Sequence, residues 1–322
     1  MSRKLFGILL LGFASGLPYM LVFSTLSAWL RDIGISLTEI GFFAWLVLTY
    51  SLKFLWAPLV DRYSVLGFQV FGKRRGWILF SQSMILLALI GMSLVDPLQN
   101  IKFLALFAFF VAFFGSVQDI AIDALRIEIG DAKDQGNLAA SYQLGYRAAI
   151  LVATSMALIF ADLIDWAHVY QLMSLLMLIG MTGALICHEP KNNEIAILRF
   201  DDALIGAFKD FFARFGIWSA ALLLLIISTF RLTDIVMGPM AMPFYLDMGF
   251  SKTEIGALVK TIALFGSIIG FVAGGYLIKK IMLFNALLAG GISVLITNLF
   301  FAFVASSEPN LSLLSLIVGL DS

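Results

Sequence analysis

Seven ionisable residues stand inside stretches that are otherwise apolar: Lys53, Asp119, Asp123, Arg147, Arg231, Asp234 and Lys260. A charge within a lipid-spanning helix costs roughly 2.5–3.5 kcal/mol unless it is paired or hydrated, so each needs a reason to be there. Asp119 and Asp123 are four apart and share one helix face. Lys53, Asp119 and Arg147 lie about 6–9 residues from the same ends of their segments, a depth of roughly 9–14 Å. The three would meet in one layer, with Asp123 a turn away. Neighbouring carboxylates raise one another's pKa and a cation lowers it, so such a group can take up and release a proton. The same charges would serve as a static salt-bridge lock between three helices. Arg231 and Asp234, three apart, would neutralise each other or touch a substrate. Lys260 would meet an anionic group or snorkel outward. Tyr19, Tyr50, Tyr142 and Tyr146 offer ring faces and hydroxyls to a sugar, or simply pack.

The elements that must hold these groups follow from hydropathy. Of 322 residues 61% are hydrophobic and 13% charged, with a mean hydropathy of +0.98. A soluble domain carries about a quarter charged residues. Nine stretches are long enough to cross a bilayer core of about 30 Å: about residues 5–30, 37–60, 77–95, 101–125, 138–161, 168–187, 216–246, 253–277 and 281–304. A tenth starts near Leu311. The runs are too long and too evenly apolar for barrel strands, so the fold class is an all-α polytopic membrane protein. The first run is too long for a signal peptide and reads as the first span. Fourteen basic residues fall in the loops on one side and three, Arg31, Lys102 and Lys252, on the other. That bias predicts a cytoplasmic N-terminus.

A segment recurs. Asp32-Ile-Gly-Ile-Ser-Leu-Thr-Glu-Ile-Gly41 returns as Asp247-Met-Gly-Phe-Ser-Lys-Thr-Glu-Ile-Gly256, with seven of ten positions identical. Ser36 with Glu39 and Ser251 with Glu254 have capping-box spacing. A coincidental cap explains two of the ten positions; two related six-helix halves explain the rest, in the parallel repeat of the major facilitator fold. The expected domains are residues 1–188, a six-helix half; 189–215, a linker with an amphipathic helix carrying Phe200, Leu204, Phe208, Phe211 and Phe215; and 216–322, an incomplete second half with helices seven to nine and the start of ten. The offset of the repeat puts the end of the second half about 80 residues beyond Ser322, so the chain is expected to stop within helix ten. An incomplete half would leave the path between halves open to lipid, and the 322 residues alone are not expected to support concentrative uptake.

Between the second and third stretches stand Ala57-Pro-Leu-Val-Asp-Arg-Tyr63 and Phe71-Gly-Lys-Arg-Arg-Gly-Trp77. This pair resembles the major facilitator loop signature, with alanine for the usual glycine and about eight inserted residues. Gly12-Phe-Ala-Ser-Gly-Leu-Pro18, Lys53-Phe-Leu-Trp-Ala-Pro-Leu59, Arg74-Arg-Gly-Trp77, Gln118-Asp-Ile120, Asp123-Ala124 and Leu144-Gly-Tyr-Arg147 are together similar to the AmpG-type muropeptide permease family. The resemblance implies a proton-driven importer of anhydromuropeptides, the sugar-peptide fragments of peptidoglycan recycling, in the bacterial inner membrane. The expected relay or substrate residues are Lys53, Asp119, Asp123, Tyr146, Arg147, Asp234 and Lys260. Asp61, Arg62 and Arg74 would latch helices at the cytoplasmic face and gate access. The alternatives are an importer of acetyl-CoA or another anionic metabolite, and a non-transporting fragment of a decayed gene.

Enzyme chemistry finds no support. No Ser-His-Asp set or phosphate loop appears, and His168, His188 and the single Cys187 have no metal-site spacing. No cofactor is demanded. With 21 basic and 21 acidic residues the charge balance favours no nucleic-acid partner. The expected partners are a small sugar-peptide, protons and the lipid bilayer. The sequence does not fix an oligomeric state.

Overall fold

A computed structural model describes residues 2–131, 133–190, 209 and 211–321. Those residues are mostly helical, with no strand among them. Helix α1 (Arg3–Asp32) opens on Ser2, whose hydroxyl caps the Leu5 amide. Pro18 sits inside it and a π turn over Leu21–Thr25 follows. Proline removes one ladder bond, and the wider turn absorbs the loss. The other helices are α2 (Leu37–Leu55), α3 (Ala57–Arg62), α4 (Lys73–Leu94), α5 (Pro97–Glu128), α6 (Gln135–Ala161), α7 (Trp166–Ile186), α8 (Ile217–Asp247), α9 (Lys252–Glu254), α10 (Lys260–Ala305) and α11 (Leu311–Asp321). Both predicted capping boxes are present, Ser36 with Glu39 and Ser251 with Glu254.

Two expectations meet a different structure. The second stretch is broken: α2 passes through 3₁₀ turns at Ala44–Leu46 and Lys53–Leu55 before α3. Pro58 at the start of α3 needs no amide hydrogen there, so the chain restarts instead of continuing. The expected eighth and ninth spans are not separate helices. They run as one helix, α10, of 46 residues, entered through a π turn at Ile255–Val259. At 1.5 Å per residue it is about 69 Å long, more than twice a bilayer core. Lys279 and Lys280 carry the charge of a loop, but the stretch from Tyr276 to Ala289 has no proline or glycine to interrupt the hydrogen-bond ladder. Among the described residues seven helices are long and apolar enough to cross a membrane. The linker positions 200, 204 and 208 lie outside the described residues; Phe211 and Phe215 meet at a tilt, 5.2 Å between ring centres.

The tightest packing is between α1 and α6. A Cβ on Gly12 would strike the carbonyl of Tyr142, and one on Gly145 the carbonyl of Leu9. On Gly16 it would meet the Tyr146 carbonyl at 2.9 Å. Small residues let backbones approach this closely, the usual basis of helix association in lipid. This crossing faces Ser15, Tyr142 and Tyr146 toward one another. One continuous core runs through α1, α4, α5, α6 and α7 and on to Met242, Tyr245, Phe250 and Ile255 in the second half.

Candidate functional site

Asp119 is half-buried on α5. It accepts a hydrogen bond from the Ser15 hydroxyl, which stands 2.7 Å from the Tyr142 hydroxyl. Lys53 and Asp123 lie within electrostatic reach of Asp119. Tyr50, Tyr142 and Tyr146 surround the same carboxyl. Tyr142 and Tyr146 lie 6.2 Å apart, and Tyr19 meets Tyr50 edge-on at 5.1 Å. The Tyr50 hydroxyl is buried without a hydrogen-bond partner, an uncommon state for such a group. The result is a carboxyl in a ring of hydroxyls and aromatic faces, bordered by one lysine.

The static lock does not form. No ion pair joins Lys53, Asp119 and Arg147 among the described residues. Asp123 lies 3.6 Å from Arg126 on its own helix, and the Arg126 guanidinium stands over the Tyr142 ring at 5.9 Å. Arg147 takes a partner outside that group: its Nη1 donates to Ser267 Oγ on α10 at 2.8 Å, bridging the two halves. A guanidinium long enough to reach a neighbouring helix takes the partner the packing supplies, and helical depth alone does not predict that. The side chains of Arg231, Asp234 and Lys260 lie outside the described residues.

A second cluster sits at the end of α4. Arg74, only 7% exposed, donates from Nη1 to Asp61 at 2.6 Å. Its Nη2 donates to Glu128 at 2.6 Å and its Nε to the same carboxylate at 3.0 Å. Glu189 accepts the backbone amides of Arg74 and Arg75 at 2.7 and 3.0 Å, capping α4 where its positive end is open. Gly72, at φ 95°, makes room for it, since a side chain there would strike the Glu189 carboxylate. Arg75 Nε donates to the Ala184 carbonyl of α7 at 2.9 Å. Thus α3, α4, α5 and α7 are tied at one level. Asp61 and Arg74 meet as expected; Arg62 instead lies 5.5 Å from the Tyr63 ring centre.

Sequence reasoning missed Ser15, Glu128, Glu189 and Ser267. The -Gly-x-x-Ser-Gly- spacing of α1 was the available signal for Ser15, because it places a hydroxyl beside a close crossing. In the second half, a cavity of about 570 Å³ between α8, α10 and α11 is lined by Tyr245, Asn298, Phe301 and Asp321 among others.

Comparison with known proteins sets this geometry in context. The profile of the Major Facilitator Superfamily matches residues 8–320. The anhydromuropeptide permease of Escherichia coli K12 is 37% identical over 287 residues, covering 88% of this chain and 57% of that protein. The chain thus spans little more than half the length of that relative. A putative transporter, AmpG 4, of Rickettsia felis is 32% identical over 326 residues, covering 99% of this chain and 78% of that one. Among solved structures, a bacterial homologue of the human lysosomal transporter Spinster superposes with a TM-score of 0.63 at 17% identity, over 99% of this chain and 71% of that one. A D-xylose–proton symporter superposes at 0.62 and 11%, over 99% and 78%. At such identities these structures speak for the fold alone.

Proposed function

The chain belongs to the AmpG-type permeases of the Major Facilitator Superfamily, multi-pass membrane transporters, and from that premise we propose that it imports anhydromuropeptides across the bacterial inner membrane, driven by protons. The basic loop residues favour an N-terminus in the cytoplasm, which puts the Arg74 cluster on the cytoplasmic side. The name of the Escherichia coli relative supports the cargo.

The observation that carries the proton role is Asp119, hydrogen-bonded to Ser15 and held in no ion pair among the described residues. A carboxylate already neutralised by a guanidinium would be a poor proton acceptor at neutral pH. Asp119 is poised by hydroxyls instead. Ser15 donates to the carboxylate, and can accept from the carboxylic acid by rotating its hydroxyl. Tyr142 stands next in line. Lys53 stands within reach of the same carboxyl, and a cargo that draws Lys53 to itself would change the field there. The aromatic faces of Tyr50 and Tyr146 suit the apolar face of a sugar ring. Arg147, at the seam between halves, suits a carboxylate of the peptide or the muramyl group.

The test is uptake of labelled anhydromuropeptide by a permease-deficient strain expressing the protein. Asp119→Asn should lower accumulation driven by a pH gradient by at least about tenfold. Exchange of labelled for unlabelled cargo, which needs no net proton movement, should persist. Accumulation left intact by this change would remove the proton role. Entry of acetyl-CoA, with exclusion of the muropeptide, would remove the assigned cargo.

A further inference from the structure

The duplicated segment has no part in the site around Asp119, yet its two copies meet. On the face opposite the Arg74 cluster, Arg31, immediately before the first copy, grips the first residue of the second. Its Nε donates to Asp247 Oδ1 at 2.6 Å and its Nη2 to Oδ2 at 2.9 Å. Reciprocally, Lys252 of the second copy donates to Asp32, the first residue of the first copy, at 2.9 Å. Lys252 lies 3.6 Å from Asp162 as well, and 5.6 Å from the centre of the Trp166 ring. Trp166 Nε1 donates to the same oxygen of Asp32 at 2.7 Å. Asp162 accepts the backbone amide and the hydroxyl of Thr253 at 2.7 and 2.5 Å.

Each of these contacts but the indole bond runs from the first half to the second. Beneath them Trp29, Trp166 and Tyr170 pack in one buried cluster with Met242, Tyr245 and Phe250. Trp29 stacks on Trp166 at 6.2 Å. The polar rim is partly open to solvent, Arg31 at 27% and Asp247 at 40% side-chain exposure, with Lys252 at 16%. Pairs of this exposure are individually weak and can break without leaving a buried charge stranded. Two matched weak pairs over an apolar seal are suited to opening and closing.

We propose that the two copies of the duplicated segment form the gate on this face: Arg31–Asp247 and Lys252–Asp32 clasp the halves, and both pairs part when the face opens. The sequence repeat is then explained by use, since each copy presents an aspartate to the basic residue that accompanies the other. This goes beyond the cargo reading and rests only on the protein being a carrier with two moving halves.

The test reads opening directly, without cargo. Phe23, on α1 between Ser15 and Arg31, packs beside Tyr19 and Tyr50. Phe23→Cys, on a background of Cys187→Ser, gives one thiol behind the gate. In right-side-out vesicles a membrane-impermeant maleimide should label it about fivefold faster when Arg31→Gln and Lys252→Gln are combined, because the open form gains population. The charge exchange Arg31→Asp with Asp247→Arg, made on the Phe23→Cys background without the glutamine changes, should label at the slow starting rate. Slow labelling there shows that the restored charge pair, whichever side chain carries which sign, keeps the face shut. Labelling unchanged in the double glutamine variant would overturn the proposal. So would fast labelling of the charge exchange, which would trace the effect to lost packing. A failed muropeptide assignment would leave these rates untouched, so the two readings fail separately.

Discussion

The two ends of this bundle are fastened in opposite ways. At the Arg74 end the bonds described join α3, α4, α5 and α7, all in the first half, through the nearly buried Arg74 guanidinium and its neighbour Arg75. At the Arg31 end they cross from the first half to the second through partly exposed pairs. The first arrangement stiffens one half as a body. The second holds two bodies together and lets go at low cost. Burial of the cation adds to the difference, since Arg74 is held by two carboxylates at once and is more buried than Arg31 or Lys252: a buried charge that loses its partners stays in low dielectric, while a more exposed one is taken over by water.

The contrast is best broken at its strong end. Arg74→Ala strands Asp61 and Glu128 and should cost about 2–3 kcal/mol, somewhat less than a fully buried pair because both carboxylates keep some solvent. Thermal unfolding in detergent reads this, and an unchanged midpoint would show that the cluster does not brace the half. At the weak end Lys252→Gln should cost under about 1 kcal/mol in the same assay. A loss as large as that of Arg74→Ala would erase the distinction between brace and clasp. The smallest effect is expected beside the clasp, at Asp165, which caps α7 by accepting the His168 amide at 2.9 Å and touches its ring nitrogen at 2.7 Å. The amide and then the ring hold the Asp165 carboxyl below its ordinary value. A carboxyl lowered by folding adds stability that is complete above the unfolded value of about 3.9 and is lost as pH falls through the lowered folded value. Asp165→Asn should therefore flatten the acid limb of a stability–pH curve, the variant lying slightly below the parent near neutrality and converging on it at low pH.

Much of this was legible in order along the chain. Spans, caps and the repeated segment are local properties, and apart from the broken second stretch the helices from α1 to α8 lie where hydropathy placed them. The break expected near Lys279 was not found, because charge marks a boundary with water without interrupting backbone hydrogen bonds. The site was legible by residue and not by partner. Asp119 stood out as a buried charge, but its bond to Ser15 depends on how closely α1 and α6 cross, which glycines set only once the helices meet. Arg147 was placed by depth along its helix, and depth carries no information about rotation toward α10. Arg31 and Lys252 counted only as basic residues on the sparse side. The repeat beside them was the better clue, since a duplicated segment at the same place in two halves tends to face its own copy across the pseudo-symmetry axis.

The seam between α1 and α6 leaves no slack. With the backbone of Gly12 lying on the carbonyl of Tyr142, and Gly145 on that of Leu9, neither helix can slide without carrying the other. Ser15 and Tyr142 therefore keep their spacing through any larger motion of the protein. Hydrogen atoms at two positions with no functional group of their own set the clearance that tunes the carboxyl on the neighbouring helix.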